Sequence, residues 1–118
     1  MSEMTFFIPA PCKFLNANDR IHHMPKAKLT AAWREAGRKA ATGHKPMNPP
    51  VHITAYIQKQ RGGRWDPNNL APTTKAIVDG IVDAGVLNDD SWREVLGPDH
   101  RRGEKGEPGI WITIKETQ

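Results

Sequence analysis

Between Asp66 and Asp90 the chain carries five aspartates (Asp66, Asp79, Asp83, Asp89 and Asp90) and a single basic residue, Lys75, although the whole protein has a formal charge of +4. Carboxylates close together repel and raise each other's pKa unless something positive sits between them, and a divalent cation can serve. Mg²⁺ takes oxygen ligands in octahedral geometry and keeps several waters, so one or two carboxylates per ion suffice. Asp66 and the Asp89-Asp90 pair can supply that number. An ion held there in a basic surround points to phosphodiester chemistry: polarising the ester, orienting a water and stabilising the leaving oxygen. Lys75 would offset charge building on the phosphorus in the transition state. Its structural alternative is an ion pair with Asp79, one helical turn on, worth roughly 0.3–0.5 kcal/mol.

Each acidic run also has a purely structural reading. Asp66-Pro67-Asn68-Asn69 is good turn chemistry, because Pro fixes φ and Asn tolerates left-handed geometry, and Asn88-Asp89-Asp90-Ser91 reads as a turn equally well. Taken together, with a helix bearing Lys75 between them, the two runs favour a metal site. Asp79 reads as a residue that holds Lys75 or the loops, and Asp83 as solvated. His22, His23 and Cys12 do not match a zinc spacing, and no Gly-rich phosphate cradle is present. Trp33 reads as core. Trp65 and Trp92 flank the acidic runs, with packing the default and stacking on unpaired bases the alternative.

The elements that must position these groups follow from periodicity. Thr5–Pro9 predicts a brief edge or terminal strand, and Leu15–His23 a polar loop. Leu29, Ala32, Trp33, Ala36 and Ala40 form a helical stripe over Pro25–Thr42, closed by Gly43. Val51–Gln58 alternates strictly and predicts a strand with one buried face, delivering Asp66 just past its end. A second helix runs from Pro72 to Gly85 with Ile77, Val78, Ile81 and Val82 buried. A possible third strand covers Trp92–Leu96. Gly97–Gly109 reads as a mobile basic loop or the tip of a long hairpin, and Ile110–Lys115 as the last strand. The order β-α-β-α-β-β predicts one α+β domain over residues 1–118: a mixed four-stranded sheet with two helices packed on one face.

A chain of 118 residues can bury one modest core without staples. One cysteine rules out an internal disulfide, and neither a leader-like N-terminus nor an apolar run of ~20 residues is visible, so the sequence predicts a cytoplasmic protein with no membrane association. A pI near 9.5 favours a polyanionic partner. The first helix carries five positive charges against one negative outside its apolar stripe, read either as a solvated face or as a track for phosphates.

The pattern Arg64-x-Asp66 then Asn69, followed by Lys75-Ala76-x-x-Asp79, Ala84-Gly85-Val86 and Asp89-Asp90, resembles the RusA family of Holliday junction resolvases. Leu15-Asn16, the His22/His23 region and Trp33-Arg34 are similar to that family's N-terminal half, so the resemblance spans about Leu15 to Val95. It implies a homodimer that binds four-way DNA junctions and nicks two opposed strands using Mg²⁺ or Mn²⁺, in many members from phage or prophage, acting then in the host cytoplasm. On matching positions Asp66 is the first metal-binding aspartate, Asp90 the last and Lys75 the essential lysine, with Asp89 assisting. Two departures stand out. Asn68 replaces the family's second aspartate, so a neutral carbonyl takes the place of a charged ligand. The segment before Lys75, Ala71-Pro72-Thr73-Thr74, is about three residues longer.

The expected site is therefore Asp66, Lys75 and Asp90 for catalysis and Asp66, Asn68, Asp89 and Asp90 for metal. DNA contacts are expected from Lys28, Arg34, Arg38, Lys39, Arg61, Arg64, Arg101 and Arg102, weakening steeply with salt. The competing readings are a branched-DNA-binding protein that has lost turnover, motivated by Asn68, and a small phage protein acting on a host partner through its basic surfaces.

Overall fold

The computed structural model describes residues 2–19 and 23–117. Seven elements follow in order: β1 (Glu3–Pro9), α1 (His23–Ala41), β2 (Val51–Lys59), a 3-10 turn (Pro67–Leu70), α2 (Ala71–Asp83), β3 (Val95–Lys105) and β4 (Gly109–Glu116). The sheet order is β1-β4-β2-β3, with β2 and β3 parallel and the other pairs antiparallel. This is the mixed four-stranded α+β domain the periodicity predicts, with β1 at an edge. Among the described residues no helix is long and apolar enough to cross a membrane.

Strict alternation makes β2 the centre. Val51, Ile53, Ala55 and Ile57 are fully buried, and Ile114, Ile112 and Ile110 of β4 pair with the last three of them to complete one apolar face. Helix α2 lays Ala76, Ile77 and Ile81 into this core, and α1 contributes Trp33, whose indole N–H donates to the Lys13 carbonyl at 3.0 Å. The two helices touch backbone to backbone. A Cβ on Gly37 would stand 2.6 Å from the Ile77 carbonyl oxygen, and one on Gly80 would overlap the carbonyl of Arg34. Gly85 ends α2 as expected, at φ +84°, a conformation that costs other residues a steric penalty.

The segment before α1 is pinned to α2. Leu15 N–H donates to Thr73 Oγ1 at 2.7 Å, the Thr73 hydroxyl returns a bond to the Leu15 carbonyl at 2.8 Å, and Ala17 N–H reaches Asn69 O at 2.7 Å. Of the loop expected over Leu15–His23, residues 20–22 lie outside those described, and α1 begins at His23, two residues before the expected Pro25.

One reading is corrected. Gly97–Gly109 is neither a mobile loop nor a hairpin tip, since residues as far as Lys105 belong to β3, which begins at Val95 and not at Trp92. The strand carries turn formers and charges because it lies at the sheet's edge with one neighbour, β2, whose backbone supplies its register. Irregularities in that register fall beside Leu96–Asp99 and Arg102–Lys105. Gly106–Pro108 then crosses the end of β2, tied by Gly106 N–H to Lys59 O at 3.1 Å and by the Gln58 amide to Glu107 O at 2.8 Å.

Candidate functional site

Helix α2 presents Lys75 and Asp79 one turn apart, and the turn leading toward β3 brings Asp90 to the same place. Lys75 Nζ donates to Asp79 Oδ1 at 2.8 Å and to Asp90 Oδ2 at 2.5 Å. The structural reading of the lysine, the i, i+4 pair with Asp79, therefore holds geometrically, and the same ammonium also reaches Asp90 across the turn. Asp79, and behind it Asp90, raises the Lys75 pKa against the opposing effect of burial. Lys75 in turn holds the Asp90 carboxyl below its ordinary range, with smaller contributions from contacts to Asp79 and Asp89. Asp89 accepts the Asp90 N–H at 2.8 Å, the local turn that aims Asp90 back toward the helix.

At the other end of α2, Asp66 caps the 3-10 turn, its Oδ1 accepting the Asn68 N–H at 2.9 Å, so the turn reading of Asp66-Pro67-Asn68-Asn69 holds as well. Its second carboxylate oxygen makes no hydrogen bond among those of the described residues. A cavity of about 260 Å³ lies between α2 and the start of β3, lined by Thr74, Lys75, Val78, Asp90, Pro98 and His100 among others. His100 is half-buried on the helix side of β3, and its Nε2 lies 2.8 Å from Thr74 Oγ1. Burial lowers its pKa, opposed by the charges of Asp99 and Asp66. Sequence reasoning missed both His100 and Thr74. The histidine stands in a basic run without apolar alternation, and only its pairing with inward-facing Ala55 shows which way it points.

The donors are all oxygen, suited to a hard divalent ion. Asp89 and Asp90 are adjacent, whereas Asp66 and Asn68 stand on the 3-10 turn, and among the described residues no three acidic, histidine or cysteine side chains converge to hold a metal. The set fits an ion carried by one or two carboxylates, with waters and a substrate phosphate completing its shell. It does not fit a closed protein cage.

The expected DNA-contacting residues fall into separate groups. Lys28 and Lys39 are exposed on α1, and Arg61 and Arg64 on the loop after β2. Arg34 makes a two-pronged pair with Asp83, at 2.6 and 2.9 Å, that ties α1 to α2, so Asp83, exposed as expected, also has a partner. Arg38 pairs with Glu35. Arg102 and Lys59 flank the Trp65 ring, at 5.1 and 4.1 Å from its centroid, whereas Arg101 pairs with Tyr56 on the opposite face. Packing holds for Trp33, fully buried, and in part for Trp65, but Trp92 is 78% exposed, contrary to the packing default.

Set against known proteins, the chain matches no protein-family model and no curated protein sequence. The likeness to RusA resolvases accordingly rests on the motif residues alone.

Proposed function

We propose that this chain is a divalent-metal-dependent, structure-selective endodeoxyribonuclease that resolves four-way DNA junctions by paired nicks. It acts in this reading as a cytoplasmic homodimer serving phage or prophage recombination or replication. The observation that carries the proposal is the bridge from Lys75 to both Asp79 and Asp90 beside a cavity that Lys75 and Asp90 line, in a protein of net positive charge. The ammonium lies between two acids, one more than a simple i, i+4 ion pair requires.

In this reading Mg²⁺ or Mn²⁺ would be held by one or two carboxylates, drawn from Asp89 and Asp90 or from Asp66 beside the Asn68 carbonyl, and would supply electrophilic activation of the phosphodiester and of water. Lys75 is protonated at neutral pH as an ordinary lysine is, its two acid partners raise its pKa further, and it offers positive charge to the reacting phosphate. Asp90 is ionised at that pH as an ordinary aspartate is, with Lys75 holding its pKa lower still. Asp79 positions Lys75. Phosphates flanking the cut would run over Arg61, Arg64 and the exposed lysines of α1, a contact that weakens with salt. Two such sites on a two-fold dimer would meet equivalent phosphates on opposed strands of a junction.

The test is incubation of the protein with a synthetic four-way junction and Mg²⁺ or Mn²⁺. Symmetric paired nicks are expected, lost in Asp90→Asn while junction binding remains. No cleavage with either ion at any junction sequence would refute the enzyme reading. A second reading, a junction-binding protein without turnover, is favoured by Asn68 and by the separation of Asp66 from the Asp89-Asp90 pair. It requires tight binding without nicks, and restoration of cleavage by Asn68→Asp would support it.

A further inference from the structure

Among the described residues the sheet carries helices on one face only. On the other face Phe7, Trp111, Tyr56 and Arg101 stand in one row across all four strands, because Phe7 pairs with Trp111, Trp111 with Tyr56 and Tyr56 with Arg101. Trp111 and Tyr56 are 41% and 40% exposed, unusual for neighbouring large rings on a small domain. Phe7 packs against Trp111 with ring centroids 5.1 Å apart, holding the indole up on the sheet. Beside the row opens a shallow cavity of about 630 Å³, bounded by Tyr56 and Trp111 on one side and by Arg102 and Lys105 of β3 on the other. Thr5, Thr113 and Gln58 supply hydrogen-bonding groups within it.

Charge on this face is sorted. Glu3 stands opposite Lys115, and Asp99 is joined to His52 at 2.6 Å, so the acids at one end of the sheet have basic neighbours. The aromatic row instead opens onto Arg101 and Lys105, with Glu104 the one acid among the cavity's described lining residues. A second copy of the chain stacked here would have to desolvate those cations, which is costly without acids to meet them. A polyanion with flat aromatic groups meets both features at once.

We infer that this face binds single-stranded nucleic acid. Two successive bases stack on Trp111 and Tyr56, while the backbone runs along β3 with its phosphates against Arg101 and Lys105. Every base has a π-face, so the platform is tolerant of sequence, and the hydroxyls and amide beside it reach base edges. The acidic site lies on the helix side of the sheet, so the inference does not rest on the nuclease reading; a chain that cuts nothing can still bind here.

The experiment titrates the intact protein, without divalent ions, into fluorescein-labelled oligo-dT and oligo-rU of about 15 nucleotides, long enough to cover one such platform, and follows anisotropy. The wild-type protein is expected to bind at least one of the two, and a preference between them identifies DNA or RNA as the ligand. Trp111→Ala is expected to weaken binding roughly 5- to 150-fold, the range of losing one base–aromatic stack. Trp111→Phe should recover most of it, and Asp90→Asn should bind like the wild type even if junction cleavage is never seen. Arg101→Ala, at an exposed position, reports on the same face should Trp111→Ala fold poorly. The inference is overturned if neither oligonucleotide binds, or if Trp111→Phe, Tyr56→Ala and Arg101→Ala all bind as the wild type does. It is also overturned if Trp111→Ala converts a dimer to a monomer in sedimentation with oligonucleotide affinity unchanged, which assigns the face to a second copy.

Discussion

Lys75 and Asp90, fifteen residues apart in the chain, meet at 2.5 Å while the same ammonium contacts Asp79 at 2.8 Å. With side chains 64%, 31% and 29% exposed for Lys75, Asp90 and Asp79, each contact contributes at most about 1 kcal/mol to stability. The lysine's raised pKa makes its share full below the ordinary lysine value and lost as pH rises through the folded one. The depressed pKa of Asp90 makes its share present above the ordinary carboxylate value and lost as pH falls through the folded one. Lys75→Met is therefore expected to cost about 1 kcal/mol or less in urea denaturation at neutral pH, yet to abolish junction nicking. The Asp90 carboxyl, having lost its largest depressing partner and still facing Asp79, should titrate higher by carbon NMR. An unmoved Asp90 titration would break the bridge.

The helix crossing makes an unusual demand on Gly80. In an exposed helix, Gly→Ala stabilises by about 1 kcal/mol, but here the added methyl overlaps the Arg34 carbonyl, which is backbone and cannot rotate away. Gly80→Ala is expected to lower stability by roughly 1–3 kcal/mol, the cost of forcing packed backbones apart. Gly37→Ala, facing the Ile77 carbonyl, should act in the same direction. A urea midpoint equal to or above the wild type's would contradict so close a crossing.

What the sequence disclosed follows the apolar pattern. Val51–Ile57 and Ile110–Ile114 alternate because one face of each is buried, and Ala76, Ile77 and Ile81 repeat with the helical period for the same reason. Lys75 and Asp79 were legible as helix neighbours, whereas the contact from Lys75 to Asp90 depends on how the chain turns after α2 and was not. The strand over Val95–Lys105 was hidden because an edge strand paired with β2 alone need not alternate. His100 went with it. The pairing of Arg34 with Asp83 was equally invisible, since it depends on how α1 crosses α2 and not on any spacing along the chain.

Glu116 closes the sheet's end. One of its carboxylate oxygens accepts the Ser2 N–H at 2.8 Å and the other the Asn48 N–H at 2.7 Å. The Asn48 bond, then that of Ser2, holds its pKa below the ordinary value. The stabilisation is therefore present above the unfolded-state carboxylate value and disappears as pH falls through the folded one. An amide can accept only one of the two N–H groups and must oppose the other with its own. Glu116→Gln is expected to lower the melting temperature at pH 7 and to converge with the wild type in acid. A constant difference across pH would mean that the carboxylate charge is not what these two backbone groups require.

Asn68 marks the departure on which metal binding turns. Its backbone N–H already holds Asp66 Oδ1, and both side chains are exposed. A carboxylate at this position would stand beside Asp66, and two adjacent carboxylates repel until a cation neutralises them. Asn68→Asp is thus expected to lower stability slightly without metal and to recover it with Mn²⁺, because a ligand that binds only the folded state stabilises it by mass action. Titration followed by the electron paramagnetic resonance of free Mn²⁺ should show affinity rising about tenfold, or 1.4 kcal/mol. The gain should vanish when Asp66→Asn is added, since the new carboxylate would then lack its partner. If Asn68→Asp leaves Mn²⁺ affinity unchanged, Asp66 does not hold the ion, and any cation required for cutting must be carried by Asp89 and Asp90 alone.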